Sequence, residues 1–172
     1  MSTKFIAVFG IFAISLVGSE WKKEGNFRNS NIKTFEISVA RAGGSTCGPY
    51  IAPYTSAYNS YIAALENNLA TAKSRIDQDV SDSVGEPLET RQGRVDAIGS
   101  AALNNFDAII ENFINQVTDI FPSVTINDVN YIFFTAPMSS FPFNCITDGY
   151  AAGAAYEDSY AELEGYFRNY QF

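Results

Sequence analysis

Histidine is absent from this chain. That removes the imidazole base of Ser-His-Asp and Cys-His nucleophiles, and it removes histidine-ligated zinc. Basic side chains are scarce: eleven Lys and Arg face nineteen Asp and Glu, a net charge of −8. Such a balance lacks the clustered cations that bind nucleic acid or an anionic membrane surface. Cysteine occurs only as Cys47 and Cys145. No Cys-x-x-Cys spacing and no adjacent basic residue favours a reactive thiolate. Gly149-Tyr150-Ala151-Ala152-Gly153 lacks the lysine and the preceding strand of a phosphate loop. No Asn-x-Ser/Thr sequon occurs.

What is present is apolar and periodic. Apolar residues make up 47% of 172 residues, enough for one packed domain. One stripe reads Tyr58, Ile62, Leu65, Leu69, Ala72, Ile76 and Val80. A second reads Leu88, Val95, Ile98, Ala102, Phe106, Ile109, Phe113, Val117 and Ile120. Spacings of three and four set each on one helix face. Val84-Gly85-Glu86-Pro87 lies between them as a reversal point. The pattern predicts a first helix from about Tyr54–Ser56 to Val80–Val84 and a second over 88–120. Gly93 and Gly99 each weaken the second helix by ~1 kcal/mol against Ala. A third helix is expected from about Asp148 to Arg168, capped by Thr147 or Asp148. Its stripe is Tyr156, Tyr160, Leu163, Phe167 and Tyr170. The small residues from Gly149 to Ala155 permit a close helix approach. The expected fold is therefore all-α: an elongated antiparallel bundle of two long helices plus a shorter C-terminal one.

The stretch 123–143 is ambiguous. Val124-Thr125-Ile126 and the run Val129–Phe134 flank Asn127-Asp128. Either a short hairpin or a short helix followed by a proline-rich loop fits. Phe133, Phe134, Phe141 and Phe143 either cap the open end of the bundle or line a mouth for an apolar ligand.

A hairpin of two helices returns the chain to its starting end. Cys47 precedes the first helix, and Cys145 follows the connector after the second. Both thiols then share one end, so a Cys47–Cys145 disulfide is expected, as for an even pair in an oxidising compartment. Lys4 followed by the apolar run Phe5–Val17 resembles a secretion signal over 1–18 and is too short for a bilayer span. Ser19–Ser38 is polar and without period, and Ala40-Arg41-Ala42 before Gly43 resembles a cleavage site. The segment 19–42 reads as a translated retained intron or a propeptide, disordered and absent from the mature chain. From Gly43 onward, five basic residues (Lys73, Arg75, Arg91, Arg94, Arg168) face sixteen acidic ones, a net charge of −11. Residues 43–172 are expected to form a single helical domain.

Asp77, Asp79 and Asp82 cluster without the central Gly or terminal Glu of an EF-hand loop. They read as a solvated helix face, and no carboxylate pair is singled out for glycoside chemistry. The expectation is no catalytic residue, no cofactor and no metal.

Cys145, Tyr150, Ala154-Ala155-Tyr156-Glu157 and Tyr160-Ala161-Glu162-Leu163 resemble the end of the TsetseEP domain, a family of secreted insect proteins. Tyr58–Leu65, following Cys47, resembles its opening. The family has a further cysteine after that leucine, where this chain has Gly165-Tyr166-Phe167. The resemblance implies secretion, an all-helical fold and no enzyme activity, in a gut or immune setting. The function expected is binding of a protein or an extracellular surface, with no nucleic acid and no stable membrane span. The alternative is a carrier of a small lipid or other apolar ligand.

Overall fold

A computed structural model describes residues 46–146 and 148–172. The expected signal, the segment 19–42 and the capping role of Thr147 lie outside the described residues. Among the described residues, four α-helices follow in order: α1 (Gly48–Asp82), α2 (Leu88–Ile120), α3 (Ile126–Phe134) and α4 (Gly149–Arg168). A short 3-10 turn, Phe143–Cys145, precedes α4. At 1.5 Å per residue, α1 and α2 are each about 50 Å long. They run antiparallel. Tyr54 meets Phe121 at one end, Asn68 donates to the Ala102 carbonyl midway, and Asp79 meets Arg94 near the other end. α4 packs on each of the other three helices, and α3 fills the disulfide end against α2 and α4.

The stripes read from the sequence are buried where they matter. Tyr58, Leu65, Ala72, Ile76, Val95, Phe106, Phe113, Val117, Leu163 and Phe167 are all in the core. Leu88 departs from the stripe and is 59% exposed, because it opens α2 at the hairpin tip beyond the reach of α4.

α1 starts at Gly48, six residues before the expected region. Pro49 sits in the first turn, where its missing N–H costs nothing, and Pro53 lies inside the helix with its ring exposed. The Cys47–Cys145 bond joins the residue before α1 to the 3-10 turn before α4, with Cα atoms 5.5 Å apart. It closes the end at which α1 begins and α2 ends. The ambiguous stretch 123–143 holds a helix, with no hairpin. Thr125 caps α3: its hydroxyl accepts from the Asp128 N–H, and the Asp128 carboxylate accepts from the Thr125 N–H.

At the far end, Gly85 takes φ +98°, a conformation open to glycine. Two arginines stitch this turn. Arg91 donates to the Ser83 hydroxyl and the Val80 carbonyl, each at 3.1 Å. Arg94 bridges Asp79 at 3.0 Å and Glu86 at 2.7 Å.

Candidate interaction surface

Beneath the disulfide end, one aromatic stack joins the four helices. Tyr61 of α1 lies on Phe113 of α2 with centroids 4.4 Å apart, and Phe113 lies on Phe133 of α3 at 5.3 Å. The Tyr61 hydroxyl donates to the Ala152 carbonyl of α4 at 2.8 Å. Burial pushes the Tyr61 phenol well above its ordinary range, with the nearby Tyr58 and Tyr156 adding to it. Around the stack the helices touch closely. A Cβ on Gly153 would meet the Phe133 carbonyl oxygen at 2.0 Å, and one on Gly149 would meet the Ile132 side chain at 2.5 Å. The small-residue turn of α4 is therefore tight packing against α3.

Above this core several large apolar side chains stay exposed among polar and acidic ones. Among the described residues, the large apolar side chains that stay exposed collect at the two ends of the bundle. Ile126, Tyr131, Phe134, Phe141 and Tyr150 lie at the disulfide end, and Val84, Leu88 and Phe172 at the tip. The four candidate phenylalanines divide. Phe133 is buried at 1% exposure in the stack. Phe143 is half-buried against the core. Phe134 is 40% exposed and Phe141 is 53% exposed, the latter leaning on Tyr50 at 6.4 Å.

Phe134 continues into a ladder along α4. Its edge meets Tyr156 at 6.1 Å, and Tyr156 meets Tyr160 at 5.8 Å. The Tyr156 hydroxyl donates to the Asp107 carboxylate of α2. Desolvation first, and then that bond, raise the Tyr156 phenol above its usual range. Sequence periodicity places Tyr156 and Tyr160 on the buried stripe, and both are half-exposed. Tyr131, Tyr150 and the Tyr156–Asp107 pair are not legible from the sequence. The only signal is Tyr131 and Phe134 at a spacing of three on a short helix.

The acidic cluster on α1 resolves into separate partnerships. Asp77 accepts from the Tyr166 hydroxyl at 2.5 Å and the Tyr170 hydroxyl at 2.9 Å. Asp79 pairs with Arg94, and Asp82 accepts from Gln78 at 2.8 Å. Two of the three are therefore latches to α4 and α2 rather than a merely solvated face. An open groove of about 750 Å³ follows the α1–α2 seam, bordered by Asn68, Ala72, Asp79, Ile98, Ala102 and Asn105. A second hollow of about 660 Å³ at the tip involves Leu88, Gly93, Tyr170 and Phe172. Among the described residues, no helix is long and apolar enough to cross a membrane.

No family model matches the chain, and no curated protein or solved structure matches it.

Proposed function

We propose that this protein is a secreted, non-catalytic helical module that binds another protein through its disulfide end. The observation that carries the reading is the exposed set Ile126, Tyr131, Phe134, Phe141 and Tyr150 above a filled core. Large apolar side chains held in water at one end of the bundle suit an interaction surface. Tyrosine is suited to such a surface, because it buries much area at little conformational cost. The signal-like N-terminus and the disulfide support secretion, and the TsetseEP resemblance supports a gut or immune setting. The absence of histidine supports a non-catalytic role. The alternative, a carrier of an apolar ligand, would require the Tyr61–Phe113–Phe133 stack to part.

Affinity capture from secreted fluid at physiological salt tests the reading. The wild-type protein and a Val84→Ser/Leu88→Ser variant should retain the same partner, and Tyr131→Ser/Phe134→Ser should lose it. Equal retention by all three contradicts the assignment to the disulfide end. A clean hydrolase or transferase activity contradicts the non-catalytic reading. Lipid recovered by organic extraction of the purified protein would favour the carrier.

A further inference from the structure

The described helices carry their charges unevenly. Neither 46–72 nor 95–167 contains a single Lys or Arg. The antiparallel pairing sets the first half of α1 beside the second half of α2, with α3 and the start of α4 at the same end. The disulfide half of the bundle therefore has no cation among the described residues. It does have carboxylates: Asp107, Glu111, Asp119, Glu157 and Asp158 are all exposed there.

The tip half is different. Three of its aromatic rings lie against the protein's own cations. Lys73 lies over Tyr166 at 5.0 Å, Arg91 over Phe172 at 4.9 Å and Arg168 over Phe167 at 5.8 Å. Four of its carboxylates are paired with cations, Lys73 with Glu162, Arg94 with Asp79 and Glu86, and Arg168 with Glu164. The ion pairs and cation–π contacts among the described residues all lie toward that end. At the disulfide end, exposed rings and exposed carboxylates occur without a Lys or Arg among the described residues of that half, and Arg168 comes near only the far member of the ladder, Tyr160.

We propose that this end binds a basic amphipathic segment of a partner polypeptide. The proposal rests on the reading that the disulfide end is the binding surface, and it names the chemistry of what binds. Apolar side chains of the segment cover Tyr131 and Phe141. Its Lys or Arg side chains lie over the Phe134–Tyr156–Tyr160 ladder, where ring faces and the Asp107 carboxylate both attract a cation. An acidic partner or an anionic lipid surface is repelled by the same carboxylates. The long-range field of an acidic face without cations also speeds encounter with a basic partner, and salt weakens that effect.

The test uses the full chain and three labelled helical peptides of equal length and one leucine pattern. Their polar positions carry lysine, glutamine or glutamate. The lysine peptide should bind about ten-fold tighter than the glutamine peptide at low salt, and high salt should erase most of that advantage. The glutamate peptide should bind weakest. Phe134→Ala should weaken the lysine peptide by about three- to five-fold, the worth of one exposed cation–π contact. Asp107→Asn should weaken the lysine peptide and leave the glutamine peptide unchanged. Melting curves of both variants show whether each keeps its fold. Equal binding of the lysine and glutamine peptides would overturn the charge inference while leaving the disulfide end as the binding surface. Lysine-peptide binding that survives Phe134→Ala and Asp107→Asn but is lost in Leu88→Ser would overturn both. Binding of neutral phosphatidylcholine vesicles in preference to any peptide, or binding of no peptide, would overturn the inference. In that last case the capture experiment still decides the broader reading.

Discussion

At the residue scale, the molecule depends on a few positions where identity cannot change. Gly99 is one: the Phe167 ring lies 2.3 Å from where a Cβ would stand. The sequence marks Gly99 and Gly93 alike as weak points of α2, because helix propensity does not see a neighbour across the bundle. The structure separates them, since nothing lies within 4 Å of a Cβ at Gly93. Gly93→Ala should raise stability by ~1 kcal/mol through backbone entropy alone. Gly99→Ala should lower it by ~1–3 kcal/mol, because the ring must move from a packed core. Thermal unfolding of the two variants checks both signs. The tyrosines make a second residue-scale prediction. Burial is the leading cause that raises the phenols of Tyr54, Tyr58 and Tyr61 above their ordinary value. A raised folded pKa contributes stability that is fully present below the unfolded value, near ~10, and is lost as pH rises through the folded value. The bundle should therefore unfold in alkali above about pH 10, with tyrosinate absorbance from these rings rising together with loss of helix. Tyrosinate absorbance that is complete before any helix is lost would mean these rings are solvated in the folded state.

At the element scale, the long helices were legible and the short one was not. Stripes of seven and nine apolar residues leave little room for another period, and α2 falls on the expected 88–120 span. The start of α1 was misplaced because Pro53 reads as a breaker, although an exposed ring near the N-terminus is tolerated there. The stretch that forms α3 is short, β-branched and aromatic, so strand and helix fit it equally. Its decisive signal was Thr125 three residues before Asp128, a capping pair that also resembles a turn. α4 begins at Gly149, close to expectation, but Asp148 at its start takes φ 61° and makes no side-chain cap bond. The α3 cap predicts an acid-side effect. The Thr125 side chain and then its backbone hold the Asp128 carboxyl below its usual value. A depressed folded pKa contributes stability above the unfolded value, near ~3.9, and loses it as pH falls through the folded value. Wild-type stability should fall more steeply below about pH 4 than that of Asp128→Asn. Parallel acid melting curves for the two proteins would contradict the cap's role.

At the scale of the whole molecule, the disulfide pairing was legible because it followed from topology. Two helices of nearly equal length bring the chain back to where it began. The candidate surface was much less legible. Which aromatic residues face water depends on how α3 rests on α4, and that is fixed by the contact at Gly153 rather than by a periodic pattern. Reduction of Cys47–Cys145 releases a loop closed over a sequence separation of 98. Stability should fall by up to ~4.7 kcal/mol in the chain-entropy limit. Most helix signal should remain in the absence of denaturant, because the buried stripes of α1 and α2 still pack. Complete loss of helix on reduction would mean that the core cannot hold without the bond. The central claim is that the disulfide end is the working surface and that its partner is basic. Backbone amide spectra of the isotope-labelled protein, titrated with the lysine-bearing amphipathic peptide, test it most directly. Saturable shifts confined to 126–134, 141–158 and the Asp107 turn of α2, with 80–94 unmoved, are the predicted result. Shifts centred on the tip, or no saturable shift, would contradict the claim.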